Sequence, residues 1–418
     1  MVDGLPRGTS RELLNLLGQL WPGQRSGEST VTAGVPAAGW RSIEEYLVVP
    51  GLARAQMLLP ADPLVAARSL GHYNALRERR SRISRLAVAG ALRVPGAGRR
   101  LFEVITICAP IETTPARVTE LSLAHWIAQR LGRRRLSAAI GLTNPGPNRK
   151  PVLQLFDAAG RPAAFVKVGW NDLTRAMVDN EAATLRALHC DGTTYPLRPR
   201  VLLHEAWQGM SILVTGPLPL DVRAHPSAPA PAGACHRHGP GVDATVLVRP
   251  LAASGYWRQV LARVDEVTSA GRLLPGEALL LRQHVEGIET SYADRKVAFG
   301  RWHGDWVHWN MARQGDQLWV WDWEHAAIQA PVGFDAMHFT FQREFVRRHR
   351  SFAAAVTTAG REARDVPGHR QRPEAADLVA DTLYPLEIYL RAARMHVLGA
   401  GWNPRLHEGA VEWISTRR

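Results

Sequence analysis

The stretch from residue 136 to residue 215 constrains the fold more than any other part of the chain. Leu136–Leu142, Val152–Phe156 and Ala164–Val168 are short apolar or alternating runs that read as strands. Turn-rich segments separate them, Thr143–Asn148 and then Asp157–Arg161. Leu173–Leu188 reads as a helix, and Val201–Glu205 and Met210–Thr215 as two further strands. Lys167 lies inside the third apolar strand, where a buried ammonium needs a partner. Glu181, fourteen residues later, shares a helical register with Leu185 and Leu188 and is the natural candidate.

A second constraint lies downstream. His303-Gly304-Asp305 is followed by Asn310, giving H-G-D-x-x-x-x-N. Asp322 comes twelve residues after Asn310, in Trp321-Asp322-Trp323-Glu324 at the end of an apolar run. Phosphoryl transfer spreads negative charge over oxygens and needs an in-line nucleophile. Mg²⁺ takes hard oxygen ligands, commonly one or two carboxylates with phosphates and water. An Asp can take the attacking hydroxyl, an Asn five residues on can turn back to the metal, and a strand-end Asp can supply the main carboxylate.

Taken in order, Lys167, Glu181, the H-G-D-x-x-x-x-N loop and D-W-E resemble the aminoglycoside phosphotransferase/choline kinase-like family, a branch of the protein-kinase-like fold. The resemblance spans residues 136–345 in detail, and Gly304 matches these small-molecule kinases where protein kinases usually carry Arg. It implies an α+β, two-lobed fold: an antiparallel-sheet N-lobe with one helix, and a mostly helical C-lobe. It implies ATP (or GTP) and Mg²⁺ as cofactors, and a small molecule with a hydroxyl group as phosphoryl acceptor. By that resemblance Asp305 is the catalytic base or the residue that orients the hydroxyl, Asn310 and Asp322 are metal ligands, Lys167 meets the nucleotide phosphates and Glu181 holds it. His303 braces the loop, Asp335 in Pro331–Asp335 anchors it, and Glu324 supports the metal. The phosphate-covering turn lacks G-x-G-x-x-G, which leaves Asn148 and Lys150 as candidate nucleotide contacts. Pro217 has no N–H, so Thr215, Gly216 and Leu218 remain to present backbone groups to the base.

Composition qualifies this reading. The formal charge is +13, carried by 51 Lys plus Arg against 38 Asp plus Glu. Only Lys150, Lys167 and Lys296 are lysines, so the basic residues are overwhelmingly Arg. The excess sits in residues 1–150, net +11, whereas residues 151–330 have net −1. Its densest runs are Arg77, Arg79, Arg80, Arg82 and Arg85, then Arg133–Arg135, in helix-like stretches with few aromatics. They read as solvated faces, and nucleic acid is not the expected partner. The lobe after residue 331 has net +3, which points away from a polycationic acceptor and toward a neutral or anionic one. Cys235, His236 and His238 lack a second cluster at ligand spacing and read as loop residues. Three widely spaced cysteines, no export signal and no long apolar run point to the cytoplasm with no membrane insertion.

Four regions are expected: a flexible leader at 1–38, an α/β extension at 39–120, the kinase-like N-lobe at 121–218 and the C-lobe at 219–418. In the extension, Tyr46–Val49, Ala55–Leu59 and Leu101–Ile107 read as strands, with a helix after Asp62-Pro63 and another from Thr114-Pro115 to about Leu131. The alternative to an enzyme is a nucleotide-binding regulatory module acting through the Arg-rich surface; the complete catalytic set stands against it.

Overall fold

The computed structural model describes residues 5–416 apart from 25, 78, 143–147, 194, 225–245, 365–370 and 372. The chain divides into two compact units, residues 1–182 with 199–223, and residues 183–198 with 224–418. Cys235, His236 and His238 fall outside the described residues, as does most of the turn before Asn148.

The first unit is built on one nine-stranded sheet: β1 (Thr30–Ala33), β2 (Trp40–Val49), β3 (Met57–Pro60), β4 (Glu103–Pro110), β5 (Ser137–Gly141), β6 (Val152–Phe156), β7 (Pro162–Gly169), β8 (Val201–Trp207) and β9 (Met210–Thr215). Their order is β1-β4-β2-β3-β5-β6-β7-β9-β8, and every pairing is antiparallel. Strands β5 to β9, with the helix Asp172–Cys190 inserted after β7, form the expected kinase-like sheet. The extension adds four strands to its edge through β3, where Leu58 pairs with Ile140. Its strands and those of the kinase-like region thus form one sheet.

Side chains alternate across a strand, and the two faces are covered by different helices. Leu58, Ile140, Leu155, Val166 and Val214 lie on one face, under Leu13, Leu16, Leu17 and Leu20 of helix Arg11–Leu20 and Trp126 and Ile127 of helix Leu123–Arg130. Leu59, Ala139 and Phe156 lie on the other, under helices Pro63–Gly71 and Arg79–Leu92. Val178 and Ala182 of Asp172–Cys190 pack there on Leu213.

The expected flexible leader is overturned. Leu13, Leu16, Leu17 and Leu20 follow an i, i+3, i+4, i+7 pattern and are buried, and Ser10 caps the helix by accepting from Leu13 N. The helix expected to run from Thr114-Pro115 to Leu131 is broken at Ser122, which ends Pro115–Leu121 and caps Leu123–Arg130 by accepting from His125 N. The helix after Asp62-Pro63 is as read, with the Asp62 carboxylate accepting from Leu64 N and Val65 N. Of the first Arg run, Arg77, Arg79, Arg80 and Arg82 are exposed, as are Arg133–Arg135. Arg85 is different: its guanidinium bonds Leu70 O and Asn74 Oδ1 at 3.3 and 3.0 Å. Burial, and then Arg77 nearby, lower its pKa to about 10. It is an internal fastener, not a solvated charge.

The second unit is mostly helical around Trp257, Phe334, Phe341, Phe352, Tyr384 and Tyr389. Three antiparallel strands, Leu247–Pro250, Lys296–Trp302 and Ala327–Pro331, cross it. A hairpin of Met311–Gln314 and Gln317–Val320 lies between the last two in sequence. No helix among the described residues is long and apolar enough to cross a membrane.

Candidate active site

In the first unit, β7 places Lys167 opposite Val152 on one side and Leu213 on the other. Its Nζ donates to Glu181 Oε2 at 2.5 Å, with the Glu181 side chain only 4% exposed. The pairing predicted from sequence is thus formed. Lys150 approaches the same helix, its Nζ 3.7 Å from Met177 Sδ, one helical turn before Glu181. Asn148 is half-buried in a turn. Thr215 ends β9 opposite Phe165. Gly216 N–H donates to Arg200 O at 2.8 Å, and Leu218 O accepts from Tyr73 Oη at 2.7 Å. The Gly216 N–H is therefore engaged within the fold.

In the second unit, the strand Lys296–Trp302 delivers the His303-Gly304-Asp305 loop. Gly304 has φ +85°, and a Cβ there would lie 2.2 Å from His325 O, so the position admits glycine alone. Asp335, at the start of helix Phe334–Gln342, accepts from His303 N and Gly304 N at 2.9 and 3.2 Å. Burial pushes its carboxyl up to about 7, against the pull of those two N–H groups and Arg391. His303 is fully buried. Its Nδ1 accepts from Asp305 N at 3.1 Å, so Nε2 carries the proton and donates to Trp321 O at 3.0 Å. Burial lowers its pKa to about 4, which keeps it neutral. One ring thereby ties the Asp305 loop to the residue preceding Asp322.

Asn310 closes the loop. Its Nδ2 donates to Asp305 Oδ2 at 2.8 Å, which leaves its Oδ1 as the end a cation would meet. Asn310 O accepts from Trp321 N at 3.1 Å, a second tie between the loop and Asp322. Asp322 has φ +72°, a left-handed conformation uncommon for a residue with a side chain, and such outliers cluster at functional sites. A carboxylate oxygen of Asp322 and one of Glu324 lie within 4.8 Å of each other. Carboxylate oxygens of this kind are the hard donors that Mg²⁺ takes.

Three site residues were not foreseen. His338 Nε2 lies 3.1 Å from Asp305 Oδ1, and its Nδ1 lies 3.2 Å from Tyr384 Oη. Burial keeps the Tyr384 phenol protonated, so it donates to Nδ1 and leaves the Nε2 proton for Asp305. Arg391 Nη1 donates to Gly304 O at 2.6 Å, with its guanidinium 5.2 Å from the Trp302 ring. Burial would raise the Asp305 pKa, but His338, His325 and Arg391 hold it down at about 2. Asp305 is therefore a carboxylate, fixed through both oxygens. His338 stands one helical turn after Asp335, which is the only signal the sequence offers for it.

No protein-family model and no curated protein sequence matches the chain. Solved structures do resemble it. A thermostable mutant of aminoglycoside phosphotransferase APH(4)-Ia is 13% identical, with 70% of this chain and 97% of that one covered, at a TM-score of 0.44. A choline/ethanolamine kinase family protein from Mesorhizobium loti is 17% identical over 66% of this chain and 93% of that one, at 0.35. A glucosamine kinase, solved with glucosamine, ADP and inorganic phosphate, is 15% identical over 74% and 86%, at 0.34.

Proposed function

We propose that the protein is a nucleotide-dependent phosphotransferase that phosphorylates a hydroxyl group of a small molecule, with Mg²⁺ as the metal. The observation that carries this reading is the fixed Asp305 carboxylate, hydrogen-bonded by Asn310 and His338 and tied by His303 to Trp321, the residue before Asp322. A purely structural Asp in a turn needs no such double orientation.

In this reading Lys167, kept in place by Glu181, meets the nucleotide phosphates as a point charge. Asn310 and Asp322 would hold the metal with Glu324 beside them, and a cation there would supply charge neutralisation for the phosphates. Asp305 accepts a hydrogen bond from the acceptor hydroxyl and aims its lone pair at the γ-phosphorus. An O–P bond forms as the bond to the nucleoside diphosphate breaks, and the hydroxyl proton passes to Asp305 late in the step. A carboxylate with a pKa near 2 is a weak base, which suits a loose transition state in which orientation matters more than early proton removal. The net charge of +3 after residue 331 favours a neutral or anionic acceptor, such as a sugar or a phosphorylated metabolite, over a polycation.

Thermal shift with ATP and Mg²⁺ tests the binding half of the proposal. Saturating nucleotide stabilises by about 2–4 kcal/mol at 100–1,000 times Kd. The wild type should shift upward, and Lys167→Ala should shift much less. No shift in the wild type at millimolar nucleotide, with or without Mg²⁺, contradicts the proposal.

A further inference from the structure

The extension carries a residue that reaches the predicted base-reading segment. Tyr73 follows helix Pro63–Gly71 in a left-handed conformation, φ +56°, and is 8% exposed. Its ring lies 5.4 Å from that of Phe165. Phe165 is two residues before Lys167, hence on the same face of β7, and directly opposite Thr215. The Tyr73 hydroxyl donates to Leu218 O at 2.7 Å. The loop is fastened on both sides. His72 Nε2 lies 3.0 Å from Gly160 O, and the His72 ring stacks on Phe156 at 5.7 Å. Arg85 bonds both Leu70 O and Asn74 Oδ1. A non-glycine residue persists in such a backbone only when its surroundings over-determine it, and such positions gather at ligand sites.

The hydrogen-bonding polarity of this edge follows. Pro217 has no N–H. Gly216 N–H is spent on Arg200 O. The Tyr73 proton is spent on Leu218 O, so the phenol oxygen offers lone pairs alone. Burial raises the Tyr73 pKa, which keeps that proton in place. On the side of Gly216 and Tyr73 the edge therefore displays acceptors.

We infer that Tyr73 is a specificity-determining residue for the nucleotide base: its oxygen accepts from the exocyclic amine of an adenine-type base and opposes the exocyclic carbonyl of a guanine-type base. This rests on the nucleotide-dependent reading above and gives the N-terminal extension a part in substrate choice. Truncating the hydroxyl would leave space for water, which can donate or accept, so discrimination would fall.

The test is equilibrium binding of ATP and GTP, each with Mg²⁺, to the full-length wild type, Tyr73→Phe and Lys167→Ala. The wild type should bind ATP at least about tenfold tighter than GTP, the scale of one hydrogen bond. Tyr73→Phe should bring the two affinities within about threefold, mainly by weakening ATP, with the protein still folded and its melting temperature lowered by the loss of one hydrogen bond. An unchanged ATP-to-GTP ratio overturns the inference, as does an equal tightening of both nucleotides, which would make Tyr73 a plug. A wild type that prefers GTP overturns it too. If the wild type binds neither nucleotide, the nucleotide reading falls and takes the inference with it. If Lys167→Ala abolishes binding while Tyr73→Phe leaves the ratio unchanged, the Tyr73 role alone is wrong.

Discussion

Lys167 and Asp305 carry different kinds of constraint, and each makes a separate prediction. Arg is not equivalent to Lys where a compact ammonium sits between a carboxylate and phosphates. The Lys167–Glu181 contact is 2.5 Å with Glu181 buried, which leaves little room for a planar guanidinium. Lys167→Arg should therefore raise the apparent nucleotide Kd about tenfold or more although charge is conserved. Titration calorimetry with ATP and Mg²⁺ checks this, and an unchanged Kd would mean that Lys167 does not meet the phosphates. His338 acts through Asp305 and is a positioning residue. His338→Ala should lower kcat roughly tenfold to a hundredfold with KM for nucleotide nearly unchanged, since positioning losses appear in the chemical step. His338→Gln can still donate to Asp305 and should recover part of the loss; no difference between the two variants would reduce His338 to packing.

At the scale of elements, helix Tyr384–Val397 supplies Tyr384 and Arg391 to the site and is held by an internal ion pair. Glu387 on it accepts two hydrogen bonds from Arg263, each 2.7 Å, with the Glu387 side chain 5% exposed. Burial would raise the Glu387 carboxyl, but Arg263 holds its pKa below the usual range. Removing one partner of a buried pair leaves an uncompensated charge and costs about 3–5 kcal/mol. Glu387→Ala should therefore lower the melting temperature far more than Arg282→Ala, whose partner Asp265 is largely exposed. Equal losses in the two variants would show that the pair does not anchor the helix. The elements also mark how far the sequence could be read. Val152–Phe156 and Met210–Thr215 are strands with those same limits, because turn residues bound them on both sides. The Lys167–Glu181 and Asp305–Asn310 contacts were legible because each pair is only 14 or 5 residues apart. His338, Tyr384 and Arg391 reach the loop from 33 to 87 residues away, and no local pattern encodes that. Leu13, Leu16, Leu17 and Leu20 held a readable helical pattern that the surrounding Gly, Pro and Ser obscured. That the Gly216 N–H meets Arg200 O was not legible, because a backbone donor's partner is a property of the fold.

For the whole molecule, buried histidines contribute to the loss of stability in acid, against the opposite contribution of Asp335 with its raised carboxyl pKa. His284 on helix Pro275–Tyr292 is 7% exposed, and burial lowers its pKa to about 4 from 6.5. The unfolded chain takes up this proton first as pH falls. The stability contribution is thus fully present above about pH 6.5 and is lost as pH falls toward 4, by roughly 2 kcal/mol at pH 5. His303 has a pKa shifted in the same direction by burial and adds to the effect. His284→Leu should therefore lose less melting temperature between pH 7.5 and pH 5 than the wild type; an equal loss would place the acid sensitivity elsewhere. The charge distribution belongs to this scale as well. The excess of Arg lies in the first 150 residues, and one member of it, the part-buried Arg85, braces the loop that presents Tyr73. The extension is therefore tied to the sheet that carries Lys167 by strand pairing, by packing and by that loop.

The account stands or falls on phosphoryl transfer through Asp305. The most direct measurement follows the γ-phosphoryl group of ATP, with Mg²⁺, into a panel of hydroxyl-bearing sugars and phosphorylated metabolites, using wild type and Asp305→Asn side by side. At least one acceptor should be phosphorylated by the wild type. Asp305→Asn should lower kcat by roughly 10²–10⁴ while nucleotide affinity stays nearly the same. Transfer at equal rates by the two proteins would contradict the central claim, as would a wild type that binds ATP and phosphorylates no hydroxyl on the panel.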